Sequence, residues 1–314
     1  MALPTRHILH QRAVIASLAG TALSAGLQGL RKNGKPPAPL PTPGPEIRQT
    51  IPPRPASLVR DYIRWTGGDP SSYRGVLPPH LFPQWGFPLA ARTLEGIPYP
   101  MARVLNGGCR LEINGPLPAD EPLEVSARLE DIDDNGRRAV LHQRVVTGTK
   151  SAPQAVIGHL YAIVPLGGGK DRNKPKANGN GAPPREIKQP ERVPAGATEL
   201  AYWRIPADAG LAFAMLTGDF NPVHWIRPYA RMFGFKSTIL HGFATMAKAM
   251  EGLNRSLLAG DTRQITTFDV KFTRPLILPA RVGLYVDGDR CFVGDATGGP
   301  AYLVGTFTRN GASS

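Results

Sequence analysis

The chain has 314 residues, 41% of them apolar, which is enough for two modest domains or one large one with a real core. Its formal charge of +13 is concentrated: residues 1–60 hold eight Lys/Arg against Glu46 alone, and residues 166–192 hold seven against Asp171, Glu186 and Glu191. The rest is nearly neutral and carries no basic-aromatic pattern of a nucleic-acid module, so that class is set aside.

In chain order, residues 1–50 read as a basic, proline-rich tail. Its apolar stretch Ala13 to Leu27 is too short and too rich in Gly, Ser and Thr to span a bilayer. It resembles a weak signal-peptide core, but a small-residue helix is expected there, packed on a domain or lying on a membrane surface; Arg6, Arg12, Arg31, Lys32 and Lys35 would give weak contact with an anionic membrane, against simple disorder as the alternative. The prolines from Pro36 to Pro45 bar a regular element, and residues 1–45 are expected to be dispensable for chemistry.

Residues 51–165 read as a first folded unit. Tyr62-Ile-Arg-Trp-Thr-Gly-Gly-Asp-Pro70 is followed by a proline-broken helix from His80 to Leu94. Alternating strands then follow from Cys109, at Leu123 to Leu129, Arg138 to Thr147 and Val156 to Val164. Residues 166–194 have no hydrophobic periodicity and read as a flexible linker. Gly167-Gly-Gly-Lys170 is no phosphate loop, because Asp171 follows and no strand leads into a helix.

Residues 195–314 repeat the order of the first unit. Phe213-Ala-Met-Leu-Thr-Gly-Asp-Phe-Asn-Pro222 echoes the stretch at Tyr62, and Asp269 to Pro279 echoes Cys109 to Pro118. Between them Phe243, Met246, Ala247, Met250, Leu253 and Leu257 mark one apolar face of a helix beginning at His241-Gly242. Strands follow at Val282 to Val286, Cys291 to Val293 and Ala301 to Thr308. The pattern predicts two copies of one α+β unit, each a curved antiparallel sheet around a helix, paired as a pseudo-dimer within one chain. A further homodimer is left open.

Only the second copy places a carboxylate and an imidazole five residues apart, Asp219 and His224, around Asn221-Pro222. Such a pair can hold and activate one water. The competing reading of Asp-x-Asn-Pro as a bare Asx turn loses ground once His241-Gly242 follows downstream. Gly242 at a helix start offers an unpaired N–H backed by the helix dipole, which suits a developing oxyanion. His241 reads as structural, and His7, His10, His80, His142 and His159 as incidental. Cys109 and Cys291, with no metal or CxxC spacing, are expected to be reduced, buried thiols in a cytoplasmic protein.

Thr217-Gly-Asp-Phe-Asn-Pro-Val-His224, with Ala230 beyond it, and Gly234-Phe-x-x-x-Ile-Leu-His-Gly242 resemble the two signatures of the MaoC-like (R)-specific enoyl-CoA hydratases and 3-hydroxyacyl-thioester dehydratases. The likeness is firm over about 200–310 and looser over about 55–165. It implies a tandem hotdog fold, with a degenerate first copy, and reversible syn hydration of a trans-2-enoyl thioester to the (R)-3-hydroxyacyl product. Asp219 and His224 would hold the water and the Gly242 amide would face the thioester carbonyl. Asn221, Phe243, Arg231, Lys236, Lys271 and Arg274 would serve substrate binding, although surface solvation explains any one of the four cations equally well. No metal or organic cofactor is implied, beyond the coenzyme A or acyl-carrier phosphopantetheine borne by the substrate. Lys236-Ser-Thr238 stands where many relatives have a proline before the Ile. Two other readings stay open: a hotdog thioesterase, and a non-catalytic acyl-binding scaffold.

Overall fold

The computed structural model describes residues 3–12, 14–15, 41–100, 104–166 and 190–311. Most of the expected linker, and most of the apolar stretch from Ala13 to Leu27, lie outside the described residues.

The first half comprises β1 (Ile47–Ile51), α1 (Ala56–Thr66), β2 (Val76–Leu77), α2 (Pro83–Arg92), β3 (Leu105–Ile113), β4 (Leu117–Pro118), β5 (Leu123–Asp134), β6 (Arg138–Gly148) and β7 (Val156–Pro165). The second comprises β8 (Thr198–Ile205), α3 (Ala209–Thr217), α4 (Arg227–Met232), α5 (Gly242–Ser256), β9 (Ile265–Phe272), β10 (Ala280–Asp287), β11 (Arg290–Gly294) and β12 (Ala301–Arg309). The strands form where apolar residues alternate: in β5, Leu123, Val125, Ala127 and Leu129 are buried while their neighbours face outward. Both α1 and α3 end in a left-handed glycine, Gly67 at φ 98° and Gly218 at φ 86°. These two glycines realise the repeat seen between Tyr62–Pro70 and Phe213–Pro222.

Ten strands make one sheet in the order β1-β5-β6-β7-β3-β9-β12-β11-β10-β8, with β2 and β4 as a separate ribbon. The order is a mirror image about its centre. In each half the strand that follows the central helix lies at the seam, where β3 and β9 pair antiparallel, Cys109 opposite Val270 and Leu111 opposite Phe268. The central helices also meet: the ring of Phe243 on α5 lies 4.9 Å from Phe87 and 5.9 Å from Phe82. One buried apolar cluster draws on both halves, so the two hotdog units share a core.

Several expectations change. The segment before residue 50 is not a detached tail: β1 extends the first sheet by pairing with β5, and Thr5–Gln11 forms a 3-10 helix with His7 and Gln11 buried. Burial of polar side chains that find partners there is what holds it. Leu257 is not on the buried face of α5 but caps its end, 37% exposed. His7 and His80 are not incidental, since both are fully buried and bonded, His7 to Asp61 and His80 to Tyr62 and Glu251. Cys109 and Cys291 are buried free thiols.

Candidate active site

Helix α3 is apolar on every side and enclosed, so its C-terminus is a fixed point in the core. From it the chain turns through Gly218 and presents Asp219. Asn221 then caps a 3-10 turn over Pro222–His224: its side-chain oxygen accepts from the Val223 N–H at 3.2 Å, and Pro222 presets the turn. The Trp225 indole N–H donates to the Phe220 carbonyl at 3.1 Å and ties the loop across its base. The loop delivers His224 beside Asp219.

Each imidazole has its tautomer fixed by a backbone carbonyl. His224 Nδ1 lies 2.9 Å from the Ile239 oxygen, an acceptor only, so Nδ1 carries the proton and Nε2 keeps its lone pair. His241 Nε2 lies 3.0 Å from the Asp219 main-chain oxygen and donates to it, and is 3.8 Å from the Asp219 carboxylate. The two imidazoles stack with centroids 3.5 Å apart, and Phe213 backs His241 at 4.9 Å. Burial lowers the pKa of His224, opposed by the Asp219 charge. Burial and the neighbouring His224 lower that of His241 further, to about 3. Both rings are therefore neutral at pH 7, and the open nitrogen of His224 is a base.

Gly242 is the first residue of α5, where N–H groups lack intrahelical partners and the dipole is positive. A Cβ there would come within 2.9 Å of the Phe272 ring, so glycine is required by packing as well as suited to ligand approach.

Asp219, His224 and His241 each offer a donor atom, all within 4.8 Å of one another, a spacing a metal ion could bridge. Two of the four ring nitrogens are already bonded to carbonyls. Of the other two, His241 Nδ1 is fully buried and has no hydrogen-bond partner, and His224 Nε2 stands beside the Asp219 carboxylate, a pair that suits a water.

Not every expected residue joins the site. Phe243 is 4% exposed and surrounded by Phe82, Phe87 and Phe272, which makes it a core residue at the junction of the halves rather than a substrate contact. Asn221 holds the loop. Arg231, Lys236 and Lys271 are exposed and Arg274 is half-buried. Among the described residues none of these four bonds to Asp219, His224 or Gly242. Three contributors lie outside the expected set: the Ile239 carbonyl, Gly210 and Gln11. Gly210 sits inside α3 where a Cβ would overlap the His224 carbonyl oxygen. A glycine within an apolar helical run is its one signal in the sequence.

Residues 183–296 match the family model described as MaoC like domain. The match lies in the second half of the chain and spans Asp219, His224 and Gly242. The probable enoyl-CoA hydratase 2 of Dictyostelium discoideum is 24% identical over 184 residues, 58% of this chain and 59% of that protein. The 3-hydroxyacyl-thioester dehydratase X of Mycobacterium tuberculosis is 25% identical over 210 residues, 65% of this chain and 67% of that one. The chain thus spans less than two thirds of the first of these relatives. In fold, the crystal structure of HtdX from Mycobacterium tuberculosis aligns with a TM-score of 0.64 over 84% of this chain and 99% of its own, at 19% identity. Both halves, and not the matched segment alone, therefore share that architecture.

Proposed function

We propose that the chain is a hydro-lyase that reversibly adds water to a trans-2-enoyl thioester, giving the (R)-3-hydroxyacyl thioester. The observation that carries this reading is the tether of His224 Nδ1 to the Ile239 carbonyl, which leaves a neutral imidazole nitrogen beside the Asp219 carboxylate. Similarity to relatives named as enoyl-CoA hydratase and 3-hydroxyacyl-thioester dehydratase supports it.

In this reading a water is held between His224 and Asp219. His224 Nε2 takes one of its protons as the oxygen bonds to the β-carbon, and the electron pair of the double bond moves toward the thioester oxygen. The Gly242 N–H and the dipole of α5 meet that negative charge, a contribution of about 2.7–4 kcal/mol where such a donor has been removed. The α-carbon then takes a proton from the pair on the same face, and the dyad returns to its starting protonation state. Delivery of both hydrogen and hydroxyl from one face gives syn addition.

The test uses crotonyl-CoA with the full chain. Loss of the enoyl absorbance without release of free thiol is expected. Free thiol would mark a thioesterase, and neither signal would mark an acyl-binding scaffold.

A further inference from the structure

We propose that the N-terminal segment through Val14 is a working part of the site, with Gln11 as a positioning residue for the Asp219 loop; the catalytic half of this inference rests on the function proposed above. Helix α3 ends with carbonyls that have no partner inside the helix. That of Ala214 is met locally, by the Gly218 N–H at 2.7 Å, and the Thr217 hydroxyl turns back onto the Phe213 carbonyl at 2.9 Å. Those of Met215 and Leu216 are met from far away in sequence, by the Gln11 side-chain amide at 3.3 and 3.0 Å.

Gln11 is itself held. Its side-chain oxygen accepts from Gln84 Nε2 at 3.0 Å, and Gln84 belongs to α2 of the first half. Gln11 is 0% and Gln84 1% exposed, so no water competes for these bonds. The amide uses both its donors and its acceptor, and its orientation is fixed by the network. Further along, Val14 packs on Gly218, where a Cβ would fall 2.6 Å from that of Val14. Gly218 directly precedes Asp219. At the other end, the segment is pinned by Arg6 and His7 on Asp61 of α1, the latter at 2.8 Å.

A relay therefore runs from Gln84 through Gln11 to the last carbonyls of α3, and ends on the residue before the catalytic carboxylate. It fixes the direction in which the chain leaves α3. A small change there is displaced directly onto Asp219, while the surfaces that bind substrate are untouched. The expected signature is a fall in kcat with little change in KM.

Two variants of the full chain test this, Gln11→Met, which keeps the volume and removes both donors, and Val14→Ala, which leaves every polar bond in place. Each is assayed on crotonyl-CoA beside His224→Ala, and amide hydrogen exchange is followed over residues 217–221. Gln11→Met is expected to lose kcat on the order of ten- to hundredfold, as a misplaced catalytic group does, with KM within about twofold. Exchange at Gly218 to Phe220 should quicken without a change in the rest of the sheet. Unchanged kcat and unchanged exchange would overturn the proposal, and Val14→Ala decides it by the same two readouts if Gln11→Met does not fold. An active parent with an inactive His224→Ala separates this outcome from failure of the hydratase reading, and the exchange data judge the positioning role whatever the substrate.

Discussion

Gly210 lies with its bare α-carbon against the carbonyl oxygen of His224, so closely that a methyl group there would overlap that oxygen. The contact is backbone to helix, and neither side can rotate away. Gly210→Ala must therefore push the His224 turn off α3 or open the core. We expect activity to fall on the order of a hundredfold, the effect of moving a catalytic group by about an ångström. Stability should fall by about 1–3 kcal/mol, as for overpacking. Gly196→Ala, in open space, is the control and should match the parent in both turnover and denaturant midpoint.

The dyad makes a second expectation. Asp219→Ala and His224→Ala should each lose about a hundred- to ten-thousandfold in turnover while keeping their circular dichroism, the range for general acid–base groups. In the proposed mechanism the two act on one water, so the double variant should be little worse than the worse single one. Near-parental rates in either single variant would remove the proposed mechanism.

Acidity should act on the rate and the fold separately. His224 must be neutral to accept a proton, and burial sets its pKa below 6.5. The acid limb of kcat/KM should therefore have its midpoint below pH 6.5, with a plateau above it. His241 has a folded pKa of about 3 against an ordinary 6.5, so the unfolded chain binds the additional proton between those values. Its contribution to stability is complete above about pH 6.5 and declines as the pH falls toward 3. Urea midpoints measured from pH 7 down to 4 should show that decline, and it should flatten in His241→Asn.

How far the chain could be read from its letters follows from where the information lies. Asp219, His224 and Gly242 sit in short local patterns in which turn chemistry and the proposed chemistry use the same residues, so they are visible without a fold. The strand repeat and the α5 face are visible because alternation and helical spacing are properties of neighbours. Phe243 misleads: its place after His-Gly points to substrate, but the aromatic rings that enclose it come from residues 82, 87 and 272. Gln11 is silent for the same reason. A polar residue in a short charged segment has no periodicity, and its partners at 84, 215 and 216 are set only by the tertiary fold.

A second buried polar cluster joins the two halves. His80 Nε2 lies 3.0 Å from Glu251 of α5, and its Nδ1 3.0 Å from the Tyr62 hydroxyl. Gly68, two residues beyond α1, leaves room for that carboxylate, which a Cβ there would overlap. Glu251 and His80 are 3% and 0% exposed at the side chain. Removing one partner strands the other, so Glu251→Ala should cost about 1–3 kcal/mol, the range for a buried polar group left without its hydrogen bond. Glu251→Gln, which keeps the shape and a bonding partner, should cost clearly less. Denaturant unfolding of both variants checks the difference, and equal costs would assign the effect to packing alone.

The same shared interior sets the fate of the second half by itself. In the whole chain β9 is covered by β3 from Thr267 to Lys271, and Phe243 is covered by Phe82 and Phe87. A fragment of residues 195–314 would expose that strand edge beside an apolar face, which is the geometry that invites edge-to-edge pairing. It would also lose Gln11, so its α3 carbonyls would be uncapped. We expect it to aggregate, or to dimerise through β9 in place of the missing β3, with turnover well below that of the whole chain. Size-exclusion chromatography with light scattering reads the state directly. A soluble, fully active monomer would mean that the first half contributes neither core nor positioning, and that the sheet seam is not what holds the site together.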